Sequence, residues 1–295
     1  MDTRDPSHSL VVRQYDDSLA EPPFPPEIAY EIFTISCRQD LKGRMNLLLV
    51  SKRVSEWLIP IIYEILVVAR LPGVNRPPLD ALEKYGGHVK HILFCGISSI
   101  AAYTNEASIL RLCPNVSNLA LWFSTVTPFE IFNLRLNQLT IPPQSDKFEN
   151  FARGLQKNLD EPKYRKWCES LTHVAWPTIS RSGCQLLSEF PNLTHFLMGD
   201  WNEDVQNNMD LMVKWCKGLE VLVVLMGMTP TPDTLGPYVH DSLEGVVIED
   251  MRVVVIQRYF VLDWIEGAKG RDDLWRVAER TVKERRRRTR LVESL

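Results

Sequence analysis

The chain has 295 residues, 45% hydrophobic and 24% charged, with a net charge of -3 at pH 7. That length can bury a sizeable core, and the near balance of 34 basic and 37 acidic residues excludes a chain-wide nucleic-acid footprint. Six cysteines, at 37, 95, 113, 168, 184 and 216, form no C-x-x-C pair and no zinc spacing, so they are expected as small buried hydrophobes in a reducing compartment.

Residues 1–21 carry Asp2, Arg4, Asp5, Asp16 and Asp17 without an apolar core, which predicts disorder and no signal peptide. A helical module is predicted over 22–68. Pro25 and Pro26 precede Glu27, which suits a helix start with negative charge in its first turn. Ile28, Ile32 and Ile35 make one apolar stripe, broadened by Phe33. Gln39, Asp40 and Gly43 read as a turn. Leu47, Val50, Val54, Trp57, Leu58, Ile61 and Ile65 then follow helical spacing, and Pro60 is expected to end or kink that helix. Leu48 and Leu49 lie off the stripe, and a short helix that is apolar nearly all round is either buried or shared with a partner. The most apolar stretch, 57–71, is too short to span a bilayer and contains Glu64, so no membrane association is expected.

The run Phe24-Pro25-Pro26-Glu27-Ile28, followed by Val50-Ser51-Lys52-Arg53-Val54 and Trp57, resembles the F-box over about forty residues. Phe24 stands where that family usually has leucine. The resemblance implies a three-helix head that docks on the Skp adaptor of a cullin-type ubiquitin ligase. It nominates Phe24, Pro25, Ile28, Ile32, Leu48, Leu49, Val50 and Trp57 for the adaptor-binding face or its support.

Over 69–256 a pattern L-x-x-L-x-L, with any large apolar residue at L, starts at 89, 116, 136, 171, 193, 219 and 243. The gaps are 27, 20, 35, 22, 26 and 24 residues, mostly near the leucine-rich-repeat range. Cys113-Pro114-Asn115 and Phe190-Pro191-Asn192 precede two units in the same form. Positions four and six are predicted to point inward from each strand, with short helices such as those around Ile109 and Cys184 between strands. The expected class is α/β: an F-box-like head followed by an irregular leucine-rich-repeat-like solenoid with parallel strands. An unrelated α/β sheet with a shared strand pattern is the alternative.

Positions three, five and seven would then face a concave client-binding surface. This reading selects His91, Asn118, Trp122, Gln138, His173 and His195, and it makes His173 and His195 neighbours. No carboxylate or cysteine shares their phase in those two units, so no metal and no cofactor are expected.

Residues 257–295 depart from the repeats. Arg252 to Ile256 reads as a strand, and Asp272 or Asp273 as the cap of a helix with Leu274, Val277, Ala278 and Val282 on its apolar side. This ending resembles that of lineage-expanded fungal F-box-like proteins and is expected to cap the array. The six basic residues within Lys283 to Arg290 read as a solvated helix end, with an address or acidic-partner patch as the alternative.

No GxxxxGK[ST], GxGxxG, HExxH or GxSxG motif is present, and the acids Asp200, Glu203 and Asp204 read as solvated. The sequence therefore predicts a non-enzymatic, cytoplasmic or nuclear substrate receptor of an SCF-type ligase, with an unknown client protein as second partner. The alternatives are an interaction solenoid whose head is only structural and, more remotely, a dispersed-site enzyme.

Overall fold

The computed structural model describes residues 24–39, 43–69, 79–95, 106–122, 128–141, 146–199, 203–226, 238–240 and 248–294. The expected disordered segment 1–21, Asp200 and most of the seventh repeat (243–247) lie outside the described residues. The chain divides into two compact units, 1–58 and 59–295. No helix among the described residues is long and apolar enough to cross a membrane.

The first unit holds α1 (Pro26–Gln39), α2 (Arg44–Leu47) and the start of α3 (Lys52–Tyr63). Pro26 occupies the first position of α1, where its missing N–H costs nothing. Ser51 Oγ accepts the Val54 N–H at 3.2 Å and so caps α3. Cys37, Val54 and Leu58 are buried.

For this stretch one of the two alternatives for Pro60, a helix end, is ruled out, and one further expectation is corrected. Pro60 lies inside α3 and does not end it. The missing N–H withdraws one donor from the carbonyl four residues earlier, and the helix runs only three residues further. Ile65 is not on that helix either: after Glu64 the apolar, β-branched run Ile65-Leu66-Val67-Val68 forms β1 (Ile65–Ala69).

From there strands and helices alternate. They are α4 (Leu79–Tyr85), β2 (His91–Cys95), α5 (Glu106–Leu112), β3 (Asn118–Trp122), α6 (Pro128–Ile131) and β4 (Gln138–Thr140), then α7 (Asp146–Lys157), α8 (Pro162–Ser170), β5 (His173–Ala175), α9 (Arg181–Leu187), β6 (His195–Met198), α10 (Glu203–Trp215) and β7 (Val221–Met226). The chain ends with β8 (Tyr238–His240), β9 (Val253–Gln257), α11 (Phe260–Ala268) and α12 (Leu274–Glu293).

Among the described residues the strands form one sheet in the order β1-β2-β3-β4-β5-β6-β7-β9-β8. Every neighbouring pair from β1 to β9 is parallel, and β8 joins antiparallel at the edge. Parallel neighbours need a crossover, which the intervening helices supply from β1 to β7. The predicted register holds: His91 pairs with Asn118, Asn118 with Gln138, Gln138 with His173, and His173 with His195.

The place beside β7 is taken by β9, over 253–257, and not by the predicted unit at 243–248. Of that unit only Ile248 is described, half-buried against the core and outside any strand. Arg252 anchors the start of β9. It pairs with Asp250 at 2.8 Å and donates to the carbonyls of Leu219 (3.2 Å) and Val213 (3.3 Å).

The opening residues of the first six repeat units, Val89, Val116, Leu136, Leu171, Leu193 and Leu219, are buried in one core. Positions four and six join them, as in Ile92 and Phe94, Leu119 and Leu121, and Phe196 and Met198. Against this face pack Leu82 of α4, Leu110 of α5, Ile131 of α6, Leu155 of α7, Trp167 of α8, Leu186 of α9 and Met212 of α10. The asparagines of the two x-Pro-Asn segments act alike. Asn115 Nδ2 donates to Gly87 O and Asn192 Nδ2 to Glu169 O, both at 2.7 Å, tying each unit to the one before.

The opposite face also carries a core, built from Leu93, Ala120, Ala175, Leu197, Val223 and Ile256 under Phe260, Trp264, Leu274, Trp275, Ala278 and Val282. The C-terminal helices thus lie on the sheet instead of capping its end, which corrects the expectation. Gly270, at φ 74°, makes the left-handed turn between them that other residues rarely adopt. Asp263 locks that corner: it is buried, pairs with Arg258, and accepts the Leu274 N–H at 2.8 Å.

Candidate functional site

Two surfaces collect the residues singled out from the sequence. In the first unit the α1 stripe faces solvent: Ile28, Ile32 and Ile35 are all exposed, as are Phe24, Tyr30 and Met45. Leu49, at 83% exposure, and Val50, at 57%, project from the loop after α2. Pro25 is exposed, while Leu48 and Trp57 are half-buried. Tyr30 packs its edge on Trp57 with centroids 5.6 Å apart, and the Arg53 guanidinium lies 5.0 Å from the same ring. Trp57 is therefore held in place by its own unit, and the isoleucines and Leu49 are presented outward. Nothing in the spacing marks Tyr30 or Met45: Tyr30 lies two residues from both Ile28 and Ile32, on the other side of α1 from the stripe.

In the second unit the row of third positions forms a floor under α11 and α12. Trp264 Nε1 donates to Asn118 Oδ1 at 3.0 Å and packs edge-on to His91. Trp122 stacks on Phe260 at 4.7 Å. The His173 and His195 rings stack 4.1 Å apart, 10° from parallel, and Trp275 meets both edge-to-face, at 5.3 and 5.8 Å. Gln138 is half-buried. The open concave face expected from these polar residues is covered in this fold. The cause is the apolar company they keep: Leu93, Leu197, Val221, Val223 and Leu225 share their phase and must also leave water.

One residue that the spacing argument missed reaches this row from α12. Glu279 Oε1 lies 3.1 Å from His195 Nε2. Burial pushes both imidazoles down, His173 to about 3, so both are neutral at pH 7. Beside Glu279 a cleft opens between β7 and α12, lined by Glu220, Lys283, Arg286, Arg287, Arg290 and Leu291. The Arg285 guanidinium turns inward instead, donating to Val253 O at 2.6 Å.

The cysteines are free, and all but Cys95 are buried. Burial pushes Cys113 and Cys216 up to about 11 and Cys168 to about 12, so these thiols stay protonated and unreactive. Glu203 and Asp204 begin α10.

Compared with known proteins, the chain matches no family model and no curated protein.

Proposed function

We propose that this protein is a substrate receptor of an SCF-type cullin ubiquitin ligase, with the unit 1–58 as an F-box-like head that binds a Skp-type adaptor. The observation that carries this reading is the apolar surface of that unit. Phe24, Ile28, Ile32, Ile35, Leu49 and Val50 all stand in water. Side chains of that size and number, offered from one small unit, suit a partner groove. Phe24, Ile28, Ile32, Leu49 and Val50 are among the positions that the resemblance to the F-box assigns to adaptor contact.

The strand–helix units of 59–295 are read as an irregular leucine-rich-repeat-like solenoid that holds the client. Its mechanism is geometric: joining client and adaptor on one chain raises the client's effective concentration at the ligase. With the histidine row covered by α11 and α12, the basic cleft along Lys283, Arg286, Arg287 and Arg290 is the better client surface, suited to an acidic segment. Such a receptor works in the cytoplasm or the nucleus and needs no chemistry of its own.

Co-purification of the full chain with its Skp adaptor tests the reading. The wild type should form a stoichiometric complex, and Phe24→Ala with Leu49→Ala should lose it while keeping its thermal transition, because both side chains are exposed. A folded wild type that captures no adaptor would overturn the ligase reading and leave the head as a structural element.

A further inference from the structure

Strands β5 and β6 both begin with the dipeptide Thr-His, and the parallel register sets Thr172-His173 directly beside Thr194-His195. Each threonine holds the ring that follows it: Thr172 Oγ1 lies 2.8 Å from His173 Nδ1, and Thr194 Oγ1 lies 2.8 Å from His195 Nδ1. The same hydroxyls donate to backbone carbonyls, Thr172 to Asn137 O at 3.1 Å and Thr194 to Thr172 O at 3.3 Å. A hydroxyl has one proton. The assignment that satisfies both contacts points that proton at the carbonyl and makes each Nδ1 a donor to its threonine. Both imidazoles then carry a lone pair on Nε2.

His195 is only 6% exposed, and its Nε2 is sealed from solvent with no aligned hydrogen-bond partner. Yet Glu279 Oε1 stands 3.1 Å away. A lone pair facing a carboxylate oxygen at that distance is repulsive unless a cation lies between them. Glu220 and Asp273 add negative potential at the same ring.

We propose that His173, His195 and Glu279 form a binding site for a divalent transition metal, zinc by ligand type, that clasps α12 onto β5 and β6. The three ligand atoms lie within 4.8 Å of one another. Bonds of about 2.0–2.2 Å draw them together once the two stacked rings tilt toward the ion. Two imidazole nitrogens and one carboxylate suit zinc, cobalt or nickel better than calcium or magnesium, which take oxygen ligands. Threonine hydroxyls that orient both rings through Nδ1 are the outer shell such a site requires. Glu279 is half-exposed, so the remaining coordination position opens to water. The clasp stands independently of the ligase reading.

The test is titration of the full, reduced, metal-free chain with cobalt chloride, followed by displacement with zinc chloride. One equivalent of cobalt should bind, with visible bands of nitrogen and oxygen ligation and no thiolate charge-transfer band. Zinc should displace it and raise the thermal midpoint. Glu279→Gln, isosteric and on a half-exposed side chain, should keep the fold and weaken the ion by at least about tenfold, and Thr194→Val should do so by about 10–100-fold. The proposal is overturned if no cobalt binds, if the spectrum shows thiolate ligation, or if Glu279→Gln and His195→Gln bind the ion as well as the wild type.

Discussion

In the unit 1–58, Ile28, Ile32, Ile35 and Leu49 stand in water, whereas in 59–295 apolar residues of β2 to β7 and of β9 are buried on both faces of the sheet. Both stretches have strong apolar periodicity in the sequence. One period ends in a surface and the other in a core, so periodicity alone tells where a side chain points and not whether protein or solvent meets it. A helix as short as α2 cannot shelter its neighbours, while a sheet flanked by helices on each face takes apolar strand positions of both phases out of water.

Trp264→Ala tests the buried half of this contrast most severely. It empties a site on the second face and orphans the Asn118 side-chain Oδ1, so it should cost about 3–5 kcal/mol in chemical denaturation. A loss below about 1 kcal/mol would show that α11 is not essential to the sheet.

Acidity gives a second handle on the same helix pair. Burial raises Asp263 to about 6, above an unfolded value of about 3.9. Between those values the folded state binds more protons than the unfolded one, so the contribution of Asp263 to stability falls as pH rises from about 4 through about 6. The wild type measured against Asp263→Asn should therefore lose ground across that window and level off above it. A flat difference would mean that the Arg258 pair compensates the buried charge in full.

A smaller effect is expected at the start of α12. Asp273 caps it by accepting the Arg276 N–H at 2.9 Å, so Asp273→Ala should cost about 1 kcal/mol, read as a shift in the denaturation midpoint at constant slope. Least of all should come from the exposed side of the contrast: Leu49→Ala is expected to change stability by less than about 0.5 kcal/mol. A larger loss would place Leu49 in a core and remove it from the proposed adaptor surface.

Much of the second unit was legible in the chain. The L-x-x-L-x-L pattern located β2 to β7 and their register, because a side-chain period of two assigns each residue to a face. The stripe Leu274, Val277, Ala278 and Val282 marked the buried side of α12. Signals for the second covered face were present too: β7 reads Val-Leu-Val-Val-Leu-Met and β9 reads Val-Val-Val-Ile, apolar in both phases, as strands with two covered faces do. The polar row His91, Asn118, Gln138, His173 and His195 pointed the other way, since polar residues at one phase resemble a surface.

Tertiary structure alone decided what meets that row. The sequence by itself determined that His173 and His195 are neighbours, through strand register, which is a local property of two similar units. It contained no rule that brings Glu279 to them. That residue arrives on a helix folded back from the chain's end, and its place follows from burying Trp264 and Trp275 on the sheet. The same holds for β1, whose apolar run fitted a helix face until a parallel partner, β2, offered its hydrogen bonds. Local spacing sets the direction of a side chain, but its partner is chosen by which distant element gains most by leaving water with it.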